Sequence, residues 1–271
     1  MKALKDILPL IQQYNDLGLH DVIGHDNFNA IAITHHSTVI EGSTLTETET
    51  RLLIEEGITP KGKPLEHSLM ARDHYAALQF CLTAADAKTQ VTEKFIRQIN
   101  SLVMKNTGSV YNTPLGAIDG TKGEYRKGNV SAGGRYFPGY DKVPGLMEKF
   151  VGELQRNMAS VSSIDEQLQI SFSAHYNLVS IHPFYDGNGR TSRLLMNYIQ
   201  QRFDLPLAIV YQEDKADYIN ALNTSREKES IEPFTEFMIS QYTKFLKEQI
   251  REYQYKDVRI QNKGLSGFLL W

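Results

Sequence analysis

The sequence has almost no cysteine: Cys81 is the single one among 271 residues, so no internal disulfide can form. It also lacks any apolar run near the ~20 residues that a membrane-spanning helix needs. The first residues, MKALKDILPLIQQYND, contain only the short apolar patch ILPLI, which predicts neither a signal peptide nor a membrane span. We therefore expect a cytoplasmic protein that does not bind membranes.

Clusters of positive charge are absent as well. The 29 lysines and arginines are scattered among 32 acidic residues, for a net charge of −3, which leaves no electrostatic footprint for nucleic acid. Hydrophobic residues at 41% and charged residues at 23% are ordinary values for a globular protein. A chain of this length can bury a substantial core.

The most informative stretch is residues 182–193, which read HPFYDGNGRTSR. Before it, apolar residues recur at helical spacing from Ile164 to Val179, and Pro183 should end that helix because proline disfavours helical backbone in the preceding residue. His182 is then expected at a fixed, exposed corner. An ordinary histidine pKa suits a general base near neutral pH.

The loop after this histidine predicts an anion site. Gly187, Asn188 and Gly189 let the chain turn sharply with its amide groups pointing inward. Arg190 then opens a new helix, whose N-terminus carries partial positive charge. A glycine turn before a helix is common and would mean little alone.

Charged side chains around this loop make a functional interpretation stronger. Arg190 and Arg193 lie three residues apart and can add charge-assisted hydrogen bonds to phosphates. Asp186 is placed to hold Mg²⁺, which usually takes one or two carboxylates plus substrate oxygens. A base, a carboxylate, an anion loop and two arginines within twelve residues are hard to explain as packing.

Position by position, this stretch resembles the motif of the Fic family, HPFx[D/E]GNGRxxR. The resemblance implies an all-α core with a small β-hairpin flap. It also implies a nucleotidyltransferase that moves AMP from ATP, with Mg²⁺, onto a Ser, Thr or Tyr hydroxyl of a protein, possibly of itself. His182 would be the base, Asp186 the metal ligand, and the loop and arginines the phosphate anchors. The sites implied for phosphate binding are Gly187, Asn188, Gly189, Arg190 and Arg193.

A second resemblance lies near the N-terminus, where residues 37–42 match the family's inhibitory pattern [S/T]xxxE[G/N] through Ser37, Glu41 and Gly42. Residues 26–42 read as a helix with Gly42 as its cap. In family members with this pattern the glutamate occupies the second arginine, here Arg193, in place of the γ-phosphate. The resemblance thus implies an autoinhibited protein adenylyltransferase.

The whole chain, residues 1–271, reads as one domain. Its parts are an N-terminal region (1–60) with the inhibitory helix (about 26–42), a core (61–240) with a flap at about 123–138, and a C-terminal helix and tail (241–271). By rough alignment with the family, Tyr218 and Asn223 are candidates to hold the adenine. The apolar tail from Val258 to Trp271 could pack on the body or on a second subunit, as in a homodimer.

Further helices are predicted from apolar spacing and caps at 1–20, 47–57, 64–86, 91–105, 143–159, 214–229 and 232–253, with a buried connector at 204–211. The pairs His35/His36 and His67/His74 lack a third ligand, so we interpret them as polar packing or surface residues. His175 should be buried and hydrogen-bonded.

Two other functions stay open. The same fold could remove AMP from a modified protein, with Glu41 positioning a water molecule, or it could be a nucleotide-sensing interaction module without activity. Family members that transfer phosphate carry a lysine where this chain has Gly189, which argues against that reaction.

Overall fold

The computed structural model describes residues 6–18, 25–132 and 135–266, the last range with side chains to residue 253. The described residues form ten α-helices and two short hairpins. The helices are α1 (Leu8–Asp16), α2 (His25–Ile40), α3 (Glu47–Glu55), α4 (Leu65–Asp86), α5 (Glu93–Val103), α6 (Val143–Ser160), α7 (Ile164–Ile181), α8 (Asn188–Arg202), α9 (Lys215–Glu227) and α10 (Glu232–Ser266). No helix in these ranges is both long and apolar enough to span a bilayer.

The two hairpins lie between α5 and α6. Strands β1 (Val110–Thr113) and β2 (Gly116–Asp119) pair antiparallel, and so do β3 (Ser131–Ala132) and β4 (Arg135–Tyr136). The β3–β4 hairpin falls inside the predicted flap, so the prediction of an all-α core with a small β-hairpin flap is confirmed. The β1–β2 hairpin was not predicted.

Helix α8 occupies the centre of the molecule, packed against α7, α4 and α5. Its residues are buried from Arg190 to Gln200, polar ones included. Asn197 donates to the Ala208 carbonyl (2.9 Å) and Gln200 donates to the Ser171 hydroxyl (3.2 Å), so these buried groups are satisfied. The arginines of the motif are therefore anchored in the core rather than on a mobile surface.

Local capping explains why the helices begin where the sequence predicted. Thr92 accepts a hydrogen bond from the Phe95 amide at the start of α5, and Ser163 with Glu166 forms a capping box at the start of α7. The predicted connector at 204–211 is irregular and mostly buried, as expected. Helix α10 continues past the predicted end at Tyr253 to Ser266.

The chain ends match their predictions in part. Helix α1 is shorter than the predicted 1–20, with Ile7 and Ile11 buried as expected, whereas Leu4 lies outside the described residues. For the tail from Val258, the described part gives backbone only, so its predicted packing falls outside the described side chains.

Candidate active site

His182 caps the C-terminal end of α7 in left-handed backbone (φ 53°), and its amide donates to the Leu178 carbonyl (3.0 Å). Pro183 explains the end of α7, because it disfavours right-handed helical backbone in the preceding residue, and the left-handed conformation of His182 is one that commonly closes a helix. The prediction of an exposed corner was wrong: His182 is half-buried, and its ring stacks on Phe137 with centroids 3.8 Å apart. The flap covers the corner, a contact that helical periodicity does not report.

The surroundings of His182 favour a neutral ring. Its Nδ1 lies 3.4 Å from the Val179 carbonyl, which fits a proton on Nδ1 and leaves Nε2 as an acceptor. Burial, together with the cations Arg126 and Arg226, lowers the pKa of His182 to about 4, against the opposing effects of the Val179 bond and Glu41. At neutral pH the imidazole is therefore uncharged with a lone pair on Nε2, and its pKa lies below the ordinary value expected from the sequence.

The loop after His182 is held in one shape by its own residues. The side chain of Asn188 accepts from the Phe184 amide (3.0 Å) and donates to the Phe184 carbonyl (2.9 Å). These two hydrogen bonds hold the loop closed, so the side chain does not point outward. Gly187 has φ 76°, and a Cβ there would lie 2.8 Å from both Asn100 Nδ2 and Met104 Sδ. The positive φ and these two close contacts exclude a side chain at this position.

Asn100 was missed by the sequence analysis. From α5 its Nδ2 donates to the Asp186 carbonyl (3.0 Å) and to the Thr191 hydroxyl (3.2 Å), which ties the loop to the start of α8. Its place 86 residues before Asp186 gave no signal, because an asparagine on the buried face of a helix has no motif of its own.

Arg190 is 2% exposed and incompletely paired. Its Nη2 lies 3.3 Å from Asp186 Oδ1 and 3.3 Å from Met104 Sδ, while Nε and Nη1 have no partner among the described residues. Buried donors without partners cost free energy, which an anionic ligand would recover. Arg190 is thus suited to phosphate.

Arg193, by contrast, is fully engaged by the N-terminal region. Its Nε donates to Ser37 Oγ (2.8 Å), and its Nη2 donates to the Ser37 carbonyl (3.0 Å) and to Glu41 Oε1 (2.6 Å). Gly189 lies directly against the Glu41 carboxylate, so a side chain there would collide with it. The structure therefore brings the predicted inhibitory residues onto the motif.

Glu41 follows the end of α2 at Ile40, one residue earlier than predicted, and Gly42 turns the chain with φ 109°. The Glu41 side chain keeps 28% of its exposure. Loss of solvent raises the pKa of Glu41, but the charges of Arg193 and Arg190 outweigh this effect and hold that pKa below its ordinary value. The carboxylate is consequently ionised and paired.

A cavity of about 530 Å³ joins these groups, and it is lined by the motif, by Glu41 and by α9. Both predicted adenine residues, Tyr218 and Asn223, line it. The Tyr218 hydroxyl lies 2.9 Å from His175 Nε2 deep in the core. Burial raises the pKa of Tyr218, and the charge and the hydrogen bond of Arg193 oppose this effect only in part. His175 is buried and hydrogen-bonded as predicted, and Tyr218 offers the cavity its ring rather than a free hydroxyl.

Asp186 stands at the rim with a side chain 54% exposed. Its Oδ1 accepts from the Gly187 amide (2.5 Å), and Oδ2 has no hydrogen-bond partner in the described ranges. Within those ranges no group of three or more His, Cys, Asp or Glu side chains could hold a metal. One available carboxylate oxygen beside an anion loop fits Mg²⁺ that takes its other ligands from phosphates and water.

The histidines of the two pairs, His35/His36 and His67/His74, serve packing. His36 Nδ1 accepts from the Gln212 amide (3.2 Å), and His67 Nδ1 accepts from the Thr44 amide (3.1 Å). His35 lies 3.5 Å from the Thr50 hydroxyl, and His74 lies 3.3 Å from the Thr34 hydroxyl. These contacts agree with the interpretation of both histidine pairs as polar packing.

Comparison with known proteins gives a consistent result. Residues 90–200 match the family model described as the Fic/DOC family. The protein adenylyltransferase Fic of Drosophila erecta is 32% identical over 204 residues, which cover 75% of this chain and 38% of that protein. The chain thus spans less than half the length of the curated relatives it matches.

Two solved structures share the fold. A Fic-domain-containing signaling protein from Bacteroides thetaiotaomicron superposes with a TM-score of 0.77 at 24% identity, over 93% of this chain and 98% of that one. Fic-1 (residues 134–508) from C. elegans gives a TM-score of 0.77 at 23% identity, over 94% of this chain and 73% of that one.

Proposed function

Because the chain belongs to the Fic/DOC family through residues 90–200, we propose that it is an autoinhibited protein adenylyltransferase. Its substrates would be ATP and a protein hydroxyl, with pyrophosphate as the second product. The observation that carries this proposal is the cavity itself, which is lined by the neutral His182, by Gly189 of the loop and by the buried Arg193. Such a set has donors for phosphates and a base for a hydroxyl, which is what AMP transfer needs.

In the proposed reaction, His182 Nε2 takes the proton of the target hydroxyl while the hydroxyl oxygen forms a bond to the α-phosphorus of ATP. The bond from that phosphorus to the bridging oxygen breaks, and pyrophosphate leaves. The Gly187–Gly189 loop, through the amides of Asn188 and Gly189, and the unpartnered donors of Arg190 would hold the phosphates. Mg²⁺ on Asp186 would neutralise charge on the phosphate oxygens.

Autoinhibition follows from the use of Arg193. Its Nη2 is held by Glu41 Oε1 at 2.6 Å, and a γ-phosphate would need the same donors. The negative carboxylate beside Gly189 would also repel an incoming phosphate. We infer that Glu41 must leave Arg193 before ATP can bind in its productive position.

The same reasoning extends to the organisation of the chain, which we propose to be one domain over residues 1–271. One hydrophobic cluster includes residues from Ile7 in the N-terminal region to Ile250 in α10, which supports a single core. A homodimer through the C-terminal tail stays a prediction.

The direct test is label transfer from ATP to protein. Wild type, Glu41→Gly, Glu41→Gly/His182→Ala and a surface control, Glu56→Gly, are incubated with Mg²⁺, a cell extract and ATP labelled at either the α- or the γ-phosphate. An incubation of the extract alone is subtracted, because its own kinases label proteins from the γ-position. Above this blank we expect label only from the α-position, strong with Glu41→Gly and absent with the double variant. Added label from the γ-position, or added label that survives loss of His182, would contradict the proposal.

Removal of AMP is a second candidate, because the Glu41 carboxylate lines the same cavity as His182 and could orient a water molecule towards an AMP–protein. With a purified AMP-modified protein as substrate, a hydrolase would release AMP in the wild type and lose this activity in Glu41→Gly. A transferase would show the opposite dependence on Glu41.

A further inference from the structure

Arg126 is a buried cation outside the motif, in the segment between β2 and β3, with 2% of its surface exposed. Its Nε donates to the His182 carbonyl (2.8 Å), Nη1 to the Gly128 carbonyl (2.9 Å) and Nη2 to the Pro138 carbonyl (2.5 Å). Its own amide donates to the Pro183 carbonyl (2.9 Å). No carboxylate pairs with it in the described part of the chain.

These acceptors belong to two different parts of the site. His182 and Pro183 are the first residues of the motif, whereas Gly128 and Pro138 flank the β3–β4 hairpin on its two sides. One guanidinium therefore joins both ends of the hairpin and fastens them to the backbone of the base. Phe137, the neighbour of Pro138, is the residue whose ring stacks on His182.

We propose that Arg126 is a positioning residue that clamps the β3–β4 hairpin over His182 and so sets the base and the hairpin relative to each other. The functional importance of this clamp rests on the proposed function, because the alignment of the hairpin and the base matters for a transfer reaction. The observation behind this proposal is that the Arg126 side chain donates to three backbone carbonyls at once.

The chemistry of the position requires arginine. A planar guanidinium presents five donors in fixed directions and can serve three carbonyls at once, whereas a lysine ammonium is a compact charge on a flexible stem. Burial of a cation without a counterion costs several kcal/mol, which charge-assisted hydrogen bonds must offset. A site that only had to fill space would be served better by an apolar side chain.

The charge of Arg126 has its own effect. The charged groups that act on the His182 ring are Arg126 and Arg226, which lower its pKa, and Glu41, which raises it. Loss of the Arg126 charge should therefore move the pKa of His182 upward, whereas a lysine in its place should keep the lower value. The effect of the Arg126 charge on the His182 pKa can thus be separated from the effect of its three hydrogen bonds by comparing Arg126→Lys with Arg126→Gln.

The experiment compares Arg126→Lys and Arg126→Gln with wild type and with Arg156→Gln, a matched change on the exposed surface of α6. Hydrogen exchange is followed by NMR at the Phe137 and Tyr140 amides, which bond to Val130 and Asn129 within the hairpin region. We expect exchange at least tenfold faster in both Arg126 variants, and no change in the β1–β2 hairpin or in Arg156→Gln.

Titration of the His182 ring by NMR gives the second readout. The pKa should rise in Arg126→Gln and stay low in Arg126→Lys. The proposal would be overturned by unchanged exchange at Phe137 and Tyr140, or by acceleration of equal size throughout the chain. If Arg126→Gln does not fold, hydrogen exchange at Phe137 and Tyr140 in Arg126→Lys decides whether the proposal holds.

Both readouts are independent of AMP transfer, so the two proposals can fail separately. In the Glu41→Gly background, if transfer occurs, each Arg126 variant should raise KM for the target protein and lower kcat while the Kd for ATP stays the same. If Glu41→Gly transfers no label, the proposed function fails, and Arg126 is still judged by exchange and titration.

Discussion

Replacement of Glu41 by glycine should convert a nearly silent protein into an active one. On the proposed function, ATP would have to displace the Glu41 carboxylate in the wild type, where Oε1 lies 2.6 Å from Arg193 Nη2. In Glu41→Gly the arginine is free of this competitor but still oriented by Ser37, through Nε at 2.8 Å. The variant should therefore bind ATP more tightly without losing the anchor.

The size of the effect follows from the contact. Two unit charges about 4 Å apart attract by about 4 kcal/mol at an effective dielectric constant of about 20. Desolvation and the 28% exposure of the Glu41 side chain reduce this gain. A net of about 1.5–3 kcal/mol, typical of a hydrogen bond between charged groups, remains. It corresponds to roughly 10- to 150-fold tighter ATP binding and, below saturation, a similar rise in transfer.

Calorimetry with ATP and Mg²⁺ measures the first quantity, and the rate of α-phosphate labelling measures the second. Glu41→Gln, which keeps the shape and an acceptor oxygen but not the charge, should fall between wild type and glycine. Glu56→Gly should behave as wild type. A change in Kd below about threefold in Glu41→Gly, with the fold intact, would refute the competition argument.

Three further predictions test other parts of the site. Tyr218→Phe should weaken ATP binding severalfold in a calorimetric titration, because the hydroxyl that helps to orient Arg193 is lost; an unchanged Kd would show that the ring alone matters. Gly187→Ala should lower the free energy of unfolding in urea by about 1–3 kcal/mol and weaken ATP binding, because φ 76° and the nearby α5 side chains exclude a Cβ. Burial, together with the charge of His35, lowers the pKa of His36 from 6.5 to about 4. Below pH 6.5 the unfolded chain therefore binds a proton at His36 that the folded chain does not bind, and the free energy of unfolding falls as the pH falls. At pH 4.5 this should cost roughly 2–3 kcal/mol, a loss that urea titrations should find reduced in His36→Gln but not in His67→Gln.

The parts of the fold that the sequence predicted well are governed by local interactions. The limits of α4, α6 and α7 followed from apolar spacing, and the structure adds local caps such as Ser163 with Glu166, which lie within one helical turn. The motif loop was also legible, because its glycines, Asp186 and the arginines are close in sequence. Such features need no knowledge of how distant segments meet.

The errors concern contacts between distant segments. His182 was expected to be exposed because nothing in its own helix places Phe137, 45 residues earlier, over its ring. The β1–β2 hairpin was missed because its turn depends on Thr113, whose hydroxyl donates to the Gly116 carbonyl (2.7 Å), and not on a standard Asn-Gly or Asp-Gly pair. Asn100 and Arg126 act on the motif backbone through single side chains, which leave no periodic trace.

Opening of the site would depend on Glu41, which lies just beyond the end of α2. Arg193 is fixed in the core helix α8 and keeps two bonds to Ser37, so neither α8 nor the body of α2 has to move. Glu41 lies beyond the last residue of α2, next to a glycine with positive φ, and its side chain is already part-exposed. Rotation of this one side chain and its turn is enough to release the Nη2 hydrogen that Glu41 accepts, while the bond from Nη2 to the Ser37 carbonyl stays. Release of the proposed inhibition would therefore need only a local change at the end of α2, and a partner that contacts this turn could set the proposed activity without unfolding the helix.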